Sequence, residues 1–132
     1  MIILDTNVLS ELMRSSPSPD VLDWISGRDL DHLYTTSLNE AEILAGIAAL
    51  PAGRRRDLLA EAATRVVTKA FEGRILPFDS EAAAYYAAIL SVPMGRRRGK
   101  PTLDTLIAAV ARSRSFAVAT RNVAHFTGYG VA

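Results

Sequence analysis

Three acids in this sequence, Asp5, Glu42 and Asp104, stand where a carboxylate can do chemistry. Asp5 ends the apolar run Ile2-Ile3-Leu4, Glu42 falls just inside a helical pattern that begins at Asn39, and Asp104 follows a capping-type Thr102. Carboxylates gathered at one place repel and raise one another's pKa unless a cation neutralises them, so such a trio calls for a bound metal. The chain has no cysteine and only two histidines, His32 and His125, which leaves hard oxygen donors. Those favour Mg2+ or Mn2+ over zinc, and ions of this kind commonly serve phosphate chemistry.

Each acid also has a purely structural reading. Asp5 can cap a helix beginning at Thr6. Glu42, three residues after Asn39, stands where a carboxylate closes a capping box, and Asp104 in a first helical turn favours the helix dipole. Shared placement is what lifts these three above Asp57, Asp79 and Glu81, which read as a cap (Asp79) or as solvated acids.

The elements that must position them follow from periodicity. Residues 2–4 form a short β-prone run that reads as a strand buried on both faces, and residues 32–36 read as a second strand. Ser18 and Pro19 start a short helix closed by Gly27. Ile43, Ile47 and Leu50 share one stripe, which predicts a helix from Asn39 to Pro51; a further helix carries Leu59, Ala62 and Val66 and ends near Gly73. Ile75 and Leu76 make a brief strand, Asp79 or Ser80 caps an alanine-rich helix that stops before Pro93, and Thr102 caps a helix through Leu103, Leu106, Ile107 and Val110. Residues 116–119 form a fourth strand closed by Thr120, Arg121 and Asn122. Strands alternating with helices imply βαβ crossovers, hence one α/β domain over residues 1–132 with a mainly parallel sheet covered on both faces. In such open sheets ligands bind beyond the carboxyl ends of the strands, where Asp5, Glu42 and Asp104 are expected.

Composition narrows the function classes. With 15 Lys and Arg against 14 Asp and Glu, the chain carries a formal net charge of +1, so no whole-molecule field argues for a nucleic-acid or membrane partner. The start MIILDTN has no basic leader and no later apolar run approaches the ~20 residues of a membrane span, so a cytoplasmic protein is expected. Local basic clusters remain. Arg96, Arg97, Arg98 and Lys100, and also Arg54 to Arg56, could guide an RNA backbone or be solvated surface; the first group shortly precedes Asp104, whereas the second begins a helix away from the expected site and reads more readily as solvated surface. The segment GRRRGKPT has one residue too few between its glycines and no preceding strand, which excludes a nucleotide-triphosphate loop. His125 beside Phe126 reads as a packed or surface residue, with substrate or metal contact as the alternative. Trp24, Tyr85 and Tyr86 fall on helices and read as core or interface material.

Taken together and in order, MIILDTNVLSEL, NEAEILAGI, GRILPFD, LDTLIAAVA and AVATRNVAHF resemble a PIN-domain nuclease of the VapC toxin type, nearest to the FitB-like branch. The resemblance runs nearly end to end. It implies a three-layer α/β/α sandwich with a four- to five-stranded sheet, Mg2+ or Mn2+ held by Asp5, Glu42 and Asp104, and RNA as the substrate. Thr6, Asn7, Thr120 and Asn122 match polar positions that help hold the metal or its waters. It implies a homodimer, and a small antitoxin whose arm lies in the acidic groove and which can carry the pair onto operator DNA.

Three positions depart from the family pattern. Asn122 stands where many relatives have a fourth acid, with His125 at a nearby position that is often acidic. Asn39 replaces a common Thr or Ser. A last strand beyond GYGVA is short or missing. The expected reaction is hydrolysis of an RNA phosphodiester by a metal-activated water. Two rival readings exist: a PIN-fold binding module of weak catalysis that acts by holding its partner, and a receiver-like phosphotransfer domain. The second lacks the adjacent acid and the lysine that such domains carry.

Overall fold

The computed structural model describes residues 1–93 and 100–132. Four strands, β1 (Ile2–Leu4), β2 (Leu33–Thr36), β3 (Ile75–Leu76) and β4 (Ala117–Ala119), form a sheet of order β3-β2-β1-β4, with every pairing parallel. Six α-helices join them among the described residues: α1 (Thr6–Leu12), α2 (Pro19–Ser26), α3 (Ser37–Ala48), α4 (Arg54–Ala63), α5 (Ser80–Leu90) and α6 (Leu103–Arg114). Parallel strands need crossovers, and the alternation read from the sequence supplies them.

The three layers follow from β1. Ile3 and Leu4 are both fully buried, and because successive side chains of a strand point to opposite faces they feed different cores. Ile3 joins Ile89 of α5 and Ile107, Val110 and their neighbours on α6. Leu4 joins Val8 and Leu9 of α1, Ile43 of α3 and Ala62 of α4. Each such side chain contributes about 1.5–3 kcal/mol by leaving water, so neither face of the central strand tolerates a polar residue. Trp24 packs at the margin of the second core and Tyr85 and Tyr86 at that of the first, as core-type aromatics should.

Two local details differ from the periodicity reading. The helix that carries Leu59 and Ala62 does not run on as one α-helix: after Ala63 it continues through Thr64–Lys69 in wider π turns, which keep Val67 and Phe71 in the core. Gly73, at φ 76°, then reverses the chain into β3, a backbone conformation that side chains resist. At the other edge, no fifth strand is seen among the described residues, but the Val118 amide donates to the Ala132 carbonyl at 2.8 Å, so the last residues lie along β4. Among the described residues, no helix is long and apolar enough to cross a membrane.

Candidate metal-binding cleft

Asp5 is the first residue beyond the last rung of β1, and its amide still donates to the Ala119 carbonyl at 3.0 Å. That bond holds it at the carboxyl edge of the sheet. It also caps α1, with Oδ1 accepting from the Thr6 amide at 2.8 Å, so the structural and chemical readings of this residue hold together. Only 5% of it is exposed. Asn39 donates a second bond to Oδ1 at 3.2 Å and the Thr120 hydroxyl donates to Oδ2 at 2.8 Å. A carboxylate has about four lone-pair sites, and these bonds use three, leaving capacity on Oδ2.

The polar residues around Asp5 form one framework. Asn39 is fully buried; it donates to the Thr6 hydroxyl at 3.0 Å and accepts at Oδ1 from the Thr36 hydroxyl at 2.6 Å. Asn7 ties α1 to the strand end, donating to the Thr120 hydroxyl at 3.1 Å and accepting from the Arg121 amide at 3.0 Å. The Asn122 amide donates to Thr120 Oγ1 at 3.0 Å. Thr120 is therefore the hub on which Asp5, Asn7 and the loop after β4 converge.

The capping-box reading of Glu42 is corrected here. Thr36 is the N-cap of α3, its Oγ1 accepting from the Asn39 amide at 3.1 Å. A β-branched threonine is at home on the last rung of β2 and its hydroxyl still reaches the third helical amide, so the helix starts earlier than the apolar stripe suggests. Asn39 turns inward to Asp5, and Glu42 sits one turn deeper than the helix start, exposed. It has no capping work to do.

Asp104 lies in the first turn of α6, where the Thr102 amide donates to the Thr105 hydroxyl at 3.0 Å. Its side chain is 23% exposed and Oδ2 lies 2.9 Å from Nδ1 of His125. Burial pushes the Asp104 carboxyl up from its ordinary value and the negative charge of Asp5 adds to that, while His125 opposes both. Asp104 therefore senses the charge of Asp5. The two aspartates line a cleft of about 610 Å3 together with Glu11, Asn122 and His125, and Glu42 faces in from α3. Among the described residues no three acidic or histidine side chains grasp a common point.

Glu11 is the cleft acid that sequence reasoning passed over. It is buried, and Oε1 accepts from the Ser18 amide at 2.7 Å while Oε2 lies 3.1 Å from Arg121 Nη1 and 3.5 Å from Arg14 Nη1. The Ser18 bond, helped by both arginines against the effect of burial, holds its carboxyl below the usual range. Its only sequence signal is one helical turn of separation from Asn7. His125 is the other shift in emphasis, an exposed residue on Asp104. Asp79 caps α5 and pairs with Arg114 at 3.1 Å, as a structural acid should. Arg96, Arg97 and Arg98 lie outside the described residues; Lys100 is exposed.

A family model described as the PIN domain matches residues 2–127. The chain is similar to the plasmid stability protein StbB of Pseudomonas syringae pv. tomato, 40% identical over 131 residues that cover 99% of this chain and 94% of that protein. It is similar to the VapC ribonuclease Y4jK of Sinorhizobium fredii, 38% identical over 99% of this chain and 94% of the relative. Among solved structures it superposes on FitAB bound to an IR36 DNA fragment with a TM-score of 0.90 and 38% identity, covering 100% of this chain and 92% of the other.

Proposed function

The chain belongs to the PIN-domain family, and from that premise we propose that it is a divalent-metal-dependent endoribonuclease, the toxin of a toxin–antitoxin pair. The observation that carries the reading is the pair of aspartates in one cleft, Asp104 raised by burial and then by the charge of Asp5, while Asp5 keeps an unused lone pair. Such a donor set fits Mg2+ or Mn2+: oxygens only, anions in excess, and a mutual repulsion that a cation relieves.

Asp5 and Asp104 would hold the ion, with Glu42 completing the set from the α3 wall. A bound divalent cation supplies Lewis-acid activation of water and neutralises charge on the phosphate. The chain's own residues do the rest. Thr120, Asn39 and the Thr6 amide fix the Asp5 carboxylate so that it needs no reorganisation during the reaction. His125 holds Asp104 by Oδ2, and Asn7 and Asn122 pin the loop that carries the hub threonine. Hydrolysis puts the water oxygen on phosphorus, breaks the bond to the leaving ribose oxygen, and moves one proton from the water to that oxygen by way of a cleft carboxylate.

The toxin role is supported by the named relatives: a plasmid stability protein, a VapC ribonuclease, and a FitAB complex on DNA. On that likeness a cognate antitoxin occupies the cleft and brings the pair to operator DNA. The test is cleavage of a defined structured RNA by the purified protein with Mn2+ or Mg2+, beside Asp5→Ala and Asp104→Asn. Wild type cuts, EDTA stops it, and each variant loses at least ~100-fold, the scale of losing one electrostatic stabiliser. Equal rates for all three proteins, or indifference to EDTA, overturn the proposal.

A further inference from the structure

We propose that the surface leading from the cleft past Arg14 to α4 is a track for the phosphate backbone of single-stranded RNA, held by Arg14, Arg54, Arg55 and Arg65. The inference rests on the ribonuclease reading and goes on to say how substrate is drawn in.

Continuity is the first argument. Arg14 lines three neighbouring hollows: the acidic cleft, a groove of about 240 Å3 between α1 and α3 that also holds Glu42, and a groove of about 690 Å3 between the end of α1 and α4. Arg54, Arg55 and Arg65 stand around the last of these over a floor that includes Met13 and Ala62. A path thus runs from Asp104 to α4 without leaving a concave surface. Asp5 is buried, and a flexible single strand enters a recessed acid more easily than a stiff duplex does.

Charge is the second. Arg54 and Arg55 are exposed, as is Arg65, and among the described residues none of the three makes an ion pair or a hydrogen bond. Arg14 is 67% exposed and its contact to Glu11 is a long 3.5 Å. Arg54 to Arg56 crowd the first turn of α4, where cations oppose the helix dipole as well as each other, and Gly53 offers no side-chain cap. Three unpaired arginines and a loosely held Arg14, against one anion in the same hollow, Glu61, are what a polyanion uses, since each neutralised phosphate releases counterions.

The test compares the full-length protein with the triple variant R54Q/R55Q/R65Q. Binding of a labelled single-stranded RNA is followed by fluorescence anisotropy across a salt series, with EDTA present so that nothing is cut. For single strands each phosphate contact contributes about 0.7 to the slope of log K against log salt, so the triple variant is expected to lose about 2 from that slope. With Mn2+ restored, KM for the long RNA rises while cleavage of a dinucleotide, which occupies the cleft alone, stays unchanged. R54Q and R65Q alone each lower the slope by about 0.7, so a poorly folded triple variant does not end the test. A wild type that cuts RNA while its variants keep slope and KM overturns the track and leaves the nuclease standing. Retained RNA slope with lost affinity for an acidic amphipathic peptide makes the surface a protein-docking site and equally overturns it. A wild type that neither binds nor cuts RNA removes the parent reading and this one with it.

Discussion

Glu11 and Asp104 line the same cleft, both largely shielded from solvent, and their proton affinities move in opposite directions. Glu11 is met by a backbone N–H and two guanidinium groups, so its carboxylate is satisfied and its pKa falls. Asp104 is half-buried near another anion with a histidine against it, and its pKa rises. Acidity and position in a cleft do not by themselves mark a ligand. What separates the two residues is how far the fold has supplied the countercharge, and at Asp104 His125 does not outweigh burial and the charge of Asp5. On the proposed reading a divalent ion would balance that charge.

The sharpest way to break that contrast is to remove each charge in turn. Asp104→Asn relieves repulsion with Asp5, so Tm holds or rises while RNA cleavage is lost. Glu11→Gln keeps an acceptor for the Ser18 amide but loses both ion pairs, so Tm falls while cleavage at neutral pH stays within about tenfold. Thermal unfolding and cleavage measured on the same preparations decide it, and a Tm fall for Asp104→Asn with none for Glu11→Gln reverses the comparison.

A pH titration sharpens it. Glu11 has a depressed folded pKa, so its stabilising contribution is complete above the ordinary value of 4.5 and is lost as pH falls through the lower folded value. Asp104 has a raised one, so between its ordinary value of 3.8 and the folded value the native state binds the extra proton and stability grows as pH falls. Carboxyl chemical shifts followed by NMR should show the Asp104 midpoint above 3.8 and the Glu11 midpoint below 4.5. Added Mn2+ is too paramagnetic for this purpose, but Mg2+ should lower the first midpoint and leave the second in place.

The smallest effect is expected at Asn122. It lines the cleft as a neutral amide, and Asn122→Asp adds an anion to the unbalanced side, so affinity for Mn2+ should rise several-fold by calorimetry. Unchanged affinity means that the side chain faces away from the ion.

The fold was largely legible because its strands are short apolar runs, with Ile3 and Leu4 of β1 buried on opposite faces. A run such as Ile2-Ile3-Leu4 has no solvent side to confuse it, and the rule that sites lie at strand ends then selected Asp5 without any motif. What stayed hidden was side-chain direction. Asn39 has the residue type of a cap and the apolar stripe begins beside it, so nothing in the spacing says that Thr36 takes the cap and Asn39 turns inward to Asp5. Glu11 was invisible for a related reason: its partners, Ser18 and Arg121, lie on a loop and beyond a distant strand. Arg54 and Arg55 read more readily as solvated surface because the hollow they share with Arg14 is formed in space alone.

The bond from Thr120 to Asp5 spans 115 residues of sequence. Translation delivers residues at about 5–20 per second, so roughly 6–23 s pass between synthesis of the acid and synthesis of its hub. During that interval a nascent chain carries Asp5 but not the strand that orients it. A cell making this protein is therefore exposed to an assembled cleft only after β4 has been made, and messages cut short before Thr120 yield fragments without one.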